Sequence, residues 1–336
     1  MRKIVRTLAP LLAAGLVALG CSDDAESPSA PESAPELALA SNSWTTRAAV
    51  PVPHSGFSAA SARTATGWKV YIFGGADENG ETGFPVYVYN VETNFWSGGG
   101  GLIESTDLNG VGKIDNWFFM TGGMKCCQED FETWSKTWAY SPTMKTMTLV
   151  ANMPKPTRSG VTGVIKSLLY VLPGYCSGEA NEPGHCDVGG PIRQLYRYDR
   201  TTSTWITRRA APHFHTDGAA GVINDKFYVV GNSAGDRSLD VYDPSTNQWQ
   251  TLAPIPTSGE RLFGAVLQNK LFVISWSHPS GGNVVIKAYL YNPSTNTWMS
   301  RAAPPGVAGP IVRVVVDGTQ RLFMPGGFGP SYLYTP

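Results

Sequence analysis

Apolar positions along most of the chain gather in short runs punctuated by glycine, proline or asparagine, and patterns of helical period and length are scarce. Six of these runs end in glycine or a substitute: "VYIFGG" (70–75), "FFMTGG" (118–123), "LYVLPG" (169–174), "FYVVGN" (227–232), "LFVISW" (271–276) and "LFMPGG" (322–327). Small residues precede them, as in "GFSAASA", "SGVTGVI" and "DGAAGVI", and a tyrosine comes after each, followed by a polar turn in the first five. The pattern predicts units of four strands: a small-residue strand, an apolar strand with a glycine exit, a tyrosine strand and, past a turn, a tryptophan strand. The chain is expected to be all-β.

The last two strands recur almost verbatim. "YDPSTNQW" at Tyr242–Trp249 and "YNPSTNTW" at Tyr291–Trp298 share their spacing with "YNVETNFW" at Tyr89–Trp96 and "YDRTTSTW" at Tyr198–Trp205. "YSPTMKTM" is a fifth copy, with Met147 in place of the indole. The tyrosines at 89, 140, 198, 242, 291 and 334 give intervals of 43 to 58 residues, and a period near 50 signals a repeat array. The sixth unit stops two residues after Tyr334 without a tryptophan strand. At the other end, "SNSWTTRAAVP" (41–51) matches "STWITRRAAP" (203–212) and "NTWMSRAAPP" (296–305), which lead from one unit into the next. Trp44 is therefore expected to complete the sheet of Tyr334, closing a ring of six and leaving no open edge there.

The double glycine, the later tyrosine and the tryptophan beyond it resemble the Kelch-repeat family of β-propellers, over about residues 42–336. The resemblance implies an all-β, six-bladed Kelch-type β-propeller closed by the N-terminal outer strand joining the C-terminal blade. Small residues suit inner strands that crowd a central channel, and tryptophans suit the wedge between diverging outer strands. In such propellers the loop between the second and third strands and the loop leading into the next inner strand open on one face. All five histidines, His54, His185, His213, His215 and His278, map to that face. The candidate ligand-binding residues at the channel mouth are His54, Arg158, His215, Asp217, Glu260, Arg261, Trp276 and His278, because loops on a rigid scaffold carry binding groups. A His or Arg ahead of an inner strand could instead bond loop carbonyls and pack the rim. Glu260 with Arg261, or His215 with Asp217, could do acid–base work on a small ligand. Trp276 stands where glycine is expected and either offers a stacking surface to a sugar ring or partner side chain or plugs the channel.

Composition adds that the fold is globular, with 42% apolar and 15% charged residues. Residues 1–20 carry Arg2, Lys3 and Arg6, an apolar run and small residues just before Cys21, the form of an export signal. "VALGC" resembles the lipobox of bacterial lipoproteins, which implies lipid on Cys21; ordinary cleavage nearby with Cys21 as a bystander is the alternative. Residues 22–40 hold five acidic and no basic side chains and three prolines, and are expected to form a solvated tether. The organisation is thus signal 1–20, lipidated cysteine and tether 21–41, and propeller 42–336. Ser22 follows Cys21 where the aspartate of the inner-membrane retention signal would stand, which favours the outer membrane. Without the signal, 23 basic residues face 26 acidic ones, a net charge of −3 with no basic cluster, so nucleic acid is not an expected partner.

Cys126, Cys127, Cys176 and Cys186 form an even set in an exported chain, which argues for disulfides with three possible pairings. Cys176 with Cys186 and a vicinal Cys126–Cys127 bridge is the favoured arrangement, and cross-pairing between blades is the alternative. No familiar metal-ligand spacing is present, and no metal or cofactor is expected.

The expected function is that of a monomeric, lipid-anchored cell-envelope module, touching the membrane through its lipid alone and presenting a loop-lined face to a carbohydrate or protein ligand. Two enzymatic alternatives follow from the resemblance. Six-bladed bacterial Kelch proteins include a periplasmic sialic-acid mutarotase, and sugar-ring opening needs only an acid and a base around a polar pocket. Galactose oxidase also contains a Kelch propeller, but it uses copper, a Tyr–Cys crosslink, seven blades and an extra domain, whereas "GYCSG" merely sets Tyr175 beside Cys176.

Overall fold

A computed structural model describes residues 41–125, 133–176, 189–231, 235–279 and 282–336. The signal, Cys21, almost all of the tether, and Cys126, Cys127, His185 and Cys186 lie outside the described residues. Among the described residues the strands form six four-stranded antiparallel sheets and one small three-stranded one. Blade 1 comprises Ser58–Thr64, Gly67–Phe73, Phe84–Asn90 and Phe95–Ile103, and blade 2 Val111–Ile114, Trp117–Thr121, Thr137–Ser141 and Thr146–Leu149. Blade 3 comprises Val161–Ile165, Leu168–Leu172, Tyr196–Asp199 and Thr204–Thr207, and blade 4 Ala219–Ile223, Lys226–Val230, Leu239–Asp243 and Gln248–Leu252. Arg261–Leu267, Lys270–Ser277, Val285–Asn292 and Thr297–Arg301 make blade 5. Blade 6 takes Val312–Val316, Thr319–Met324 and Ser331–Thr335 from the end of the chain and Ser43–Arg47 from its beginning.

Ser43–Arg47 pairs with Ser331–Thr335 so that Trp44 faces Tyr334, the partnership the repeat predicts. The innermost strands neighbour one another from blade 1 through blade 6, and the sixth neighbours the first. One apolar cluster joins Val70, Ile72, Tyr89 and Trp96 of blade 1 to Val314, Phe323 and Leu333 of blade 6.

Local chemistry explains the blades. The first hairpin turns of blades 3, 4 and 5 place Lys166 and Ser167, Asn224 and Asp225, and Gln268 and Asn269 at positive φ, the geometry of two-residue turns that match strand twist. Inner strands need small residues because the next blade presses on them: a Cβ on Gly163 would meet the Phe227 ring at 2.6 Å. The residues that fill the blades are the six tyrosines of the repeat, Tyr89, Tyr140, Tyr198, Tyr242, Tyr291 and Tyr334, all fully buried.

The tryptophans do more than fill a wedge. Each tilts against its own tyrosine at 5.0–5.1 Å between ring centroids. Its Nε1 donates to a carbonyl of the linker entering that blade: Trp96 to Ala48, Trp205 to Ala151, Trp249 to Arg209, Trp298 to Ala253 and Trp44 to Ala302. In four blades the asparagine two residues before the tryptophan adopts a positive φ of 53–58°. Its Oδ1 accepts both from the tyrosine hydroxyl and from the N–H of the same linker residue: Asn94 for Ala48, Asn247 for Arg209, Asn296 for Ala253, Asn42 for Ala302. A single residue of each linker is thus gripped at both its backbone polar groups. Blade 2 has Lys145 and Met147 at these places, and the Tyr140 hydroxyl donates directly to Gly99 O at 2.6 Å.

Candidate functional site

The loops entering the inner strands build the channel mouth by a chain of backbone hydrogen bonds. Asp107 N donates to Gly56 O, Ser159 N to Asp107 O, Asp217 N to Ser159 O and Leu262 N to Asp217 O, each at 2.8–2.9 Å. Gly56, Asp107, Ser159 and Asp217 all take left-handed conformations, with φ of 49–68°. Aspartate and serine tolerate that region better than most side chains, and at Gly56 a Cβ would collide with Thr106 Oγ1 at 2.1 Å. The belt fixes Asp107, Ser159, Asp217 and Arg261 on successive blades.

Below it lies a cavity of about 620 Å³ to which all six blades contribute. Its flanks differ. Asp107, Ser159, Asp217 and Arg261 line one side, while Val307, Ala308, Pro310 and Phe328 line the blade 6 side. Val307 is 73% and Phe328 57% exposed, so an apolar surface stands open at the mouth.

Arg261 belongs to blade 5 and Asp107 to blade 2, opposite positions in a ring of six. The Arg261 guanidinium nevertheless reaches Asp107 Oδ1 (Nη2, 3.5 Å) and Asp217 Oδ1 (Nε, 3.8 Å), bridging the mouth. Both distances exceed the roughly 2.7–2.9 Å of a close charge-assisted hydrogen bond, and the arginine side chain is 44% exposed. Burial pushes the Asp217 carboxyl above its ordinary value; Arg261 opposes the shift, and Asp107 adds to it.

Of the candidate residues, Asp217, Arg261 and Trp276 line the cavity. Trp276 pairs with Arg261 in the sheet, and its indole N–H is buried with no hydrogen-bond partner. Arg158 lies on the neighbouring rim with its guanidinium over the Tyr175 ring at 5.3 Å. Glu260 and His278 are exposed together outside the cavity, where Glu260 Oε1 accepts from the His278 backbone N–H at 2.8 Å.

His54 and His215 take the rim-packing alternative, since both are fully buried and bond loop carbonyls. His54 donates from Nδ1 to Val52 O at 2.6 Å and stacks on Phe84 at 4.4 Å, with burial lowering its pKa. His215 sits between Gly231 O, 3.1 Å from Nδ1, and Asp240 Oδ2, 3.0 Å from Nε2. His213 Nδ1 and Thr251 Oγ1 complete the shell of the wholly buried Asp240. These histidines knit loops to blades, because ring nitrogens satisfy polar groups that the rim would otherwise bury unpaired.

Asp107 is the site residue that the sequence did not single out. It lies in "STDLNG", which carries no motif, and the available signal is its place ahead of the second inner strand, where Ser159 and Asp217 stand in the next two blades. Cys176 is buried and disulfide-bonded, within the middle strand of a small sheet of Thr157–Arg158, Tyr175–Cys176 and Gly190–Pro191; Cys126, Cys127 and Cys186 lie outside the described residues.

No protein-family model matches the chain. Among curated proteins it is similar to Kelch-like protein 23 of Homo sapiens, 22% identical over 238 residues that make up 70% of this chain and 40% of the relative. A putative F-box/kelch-repeat protein of Arabidopsis thaliana is 25% identical over 179 residues, covering 53% of this chain and 46% of the relative. The match thus spans less than half the length of these relatives. Among solved structures, that titled "Structure of YjhT" superposes with a TM-score of 0.64 at 15% identity, covering 84% of this chain and 94% of the other.

Proposed function

This chain is a Kelch-repeat β-propeller, and on that premise we propose that it is a binding module of the cell envelope, anchored by lipid on Cys21 and taking a carbohydrate in the cavity at its channel mouth. One observation carries the reading. A cavity of about 620 Å³, inside the range of small-molecule sites, sets hydrogen-bonding groups on one flank against an open apolar flank on the other. A sugar ring has the same two-sidedness, with hydroxyls at its edge and an apolar face that packs against Trp276 or Phe328.

A glycan array probed with the mature chain, beside pull-down from envelope extract, tests this. The expected result is a saccharide signal lost on Trp276→Ala or Arg261→Ala. A protein captured in place of any saccharide, with the same loss, makes the ligand a protein. Cys21→Ser is expected to release the chain from membranes, and an unchanged attached fraction removes the lipid anchor from the account.

A second reading draws on the two carboxyl groups, Asp107 and Asp217, that face the same cavity from neighbouring parts of the rim. Such a pair is suited to opening and closing a sugar ring. Anomer exchange followed by nuclear magnetic resonance is the test, and no line broadening with any sugar counts against it. The copper radical route meets a chemical obstacle, since the Cys176 sulfur is already committed to a disulfide and has no thiol to crosslink with Tyr175.

A further inference from the structure

We propose that the channel mouth selects its ligand by charge: it accepts neutral, hydroxyl-bearing molecules and turns anions away, with Arg261 holding two carboxylates in place as the acceptors. The inference rests on the binding reading above and adds the ligand's class.

Cations do not dominate the mouth. Asp107 and Asp217 face the cavity, and a groove beside it shares Asp107 and Arg261 and adds Asp77 and Glu78. Two arginines oppose them. Arg261 divides its charge between two carboxylates at 3.5 and 3.8 Å, and Arg158 lies against an aromatic face. An incoming anion would have to draw Arg261 off both aspartates and then sit beside the carboxylates it had uncovered. Like charges a few ångströms apart in a cleft repel strongly, because low-dielectric walls focus the field.

A neutral polyol faces no such conflict. Its hydroxyls donate to the aspartates and accept from the guanidinium without breaking the bridge. Ser159 supplies a further group: it is 6% exposed, lines the cavity, and its hydroxyl adjoins the Asp217 carboxyl with lone pairs that can accept from a ligand hydroxyl. Arg261 is accordingly a specificity-determining residue that works by spanning the mouth.

The test works without an identified ligand. Thr162 lines the cavity on blade 3, so Thr162→Cys places a thiol inside it. Its reaction is timed with a cationic trimethylammonium and an anionic sulfonate methanethiosulfonate of similar size, against the unsubstituted chain as background. The cation is expected to react about tenfold faster. That ratio should shrink toward one in about 1 M salt, where screening acts within about 3 Å. It should shrink likewise in Asp107→Asn with Asp217→Asn. An anion reacting as fast or faster overturns the proposal. Ala220→Cys, also in the cavity wall, serves if Thr162→Cys misfolds.

In parallel, the unsubstituted chain is titrated with neutral hexopyranosides and the matching uronic acids. Tighter binding of the neutral sugars supports the proposal. Tighter binding of the acids overturns it while leaving the saccharide site standing. Binding of neither removes the saccharide reading, and the reagent ratio then decides the charge preference on its own.

Discussion

The Tyr334 hydroxyl donates to Asn42 Oδ1 at 2.8 Å across 292 residues of sequence. The same carboxamide oxygen accepts from Ala302 N, and Trp44 Nε1 donates to Ala302 O. The two ends of the domain are therefore joined by the clamp that grips the linkers of blades 1, 4 and 5 within continuous chain. Asn42→Ala is expected to cost about 2 kcal/mol, because a buried hydroxyl and a backbone N–H lose their acceptor. Trp44→Ala is expected to cost about 3 kcal/mol through lost packing on Tyr334 and Phe272. Urea unfolding measures both, and changes below about 0.5 kcal/mol would show that this seam carries no stability.

Close approach of neighbouring blades makes a second prediction. Gly163→Ala forces a methyl against Phe227 and Val222 at 2.6–2.8 Å, an overpacking expected to cost about 1–3 kcal/mol. Gly98→Ala, where a Cβ meets nothing within 4 Å, is expected to stay within about 0.5 kcal/mol of the parent. Equal effects in thermal unfolding would contradict the packing of the inner ring.

Asp240 predicts a dependence on acid. Burial alone would raise its pKa, but hydrogen bonds from His215, Thr251 and His213 outweigh burial and hold the carboxyl below its ordinary value. A lowered folded pKa gives stability that is present above the unfolded value of about 3.9 and lost as pH falls through the folded one. Asp240→Ala is expected to cost about 1–3 kcal/mol at pH 7, since it leaves the buried His215 Nε2 and the Thr251 hydroxyl without their acceptor. The difference from the parent should narrow in acid; a difference that stays constant down to about pH 3 would place the stabilisation elsewhere.

Asp217 predicts the opposite sign. Its folded pKa is raised by burial, with Arg261 opposing and Asp107 reinforcing the shift, so its contribution to stability is complete below the unfolded value and is lost as pH rises through the raised one. Asp217→Asn should therefore be more stable than the parent at about pH 7 and gain nothing near pH 3. Thermal unfolding at the two pH values decides it, and destabilisation at neutral pH would mean that the bridge to Arg261 outweighs the cost of burying the charge.

Much of the fold was legible because a propeller repeats itself. The interval from tyrosine to tryptophan fixed the blades, and the orphan Trp44 opposite the unfinished sheet of Tyr334 fixed their number and their closure. Asn42, Asn94, Asn247 and Asn296 passed as ordinary turn residues, since a left-handed asparagine reads as a turn signal and nothing local reveals that its oxygen serves a linker some 40 residues away or more. The candidate site was legible in part. Asp217, Arg261 and Trp276 were placed by their position in the unit, but Asp107 was missed because its partnership with Arg261 depends on two blades standing opposite each other. For His54 and His215 the sequence left a binding role and a rim-packing role open, because it locates a loop on a face without showing which way a ring turns.

The measurement that bears most directly on the account is calorimetric titration of the purified mature chain with the strongest saccharide found on the array, repeated with Arg261→Ala and with Asp107→Asn. The account predicts one site per chain and at least about tenfold weaker binding in each variant, about 1.4 kcal/mol. Binding that both substitutions leave unchanged would place the ligand away from the channel mouth.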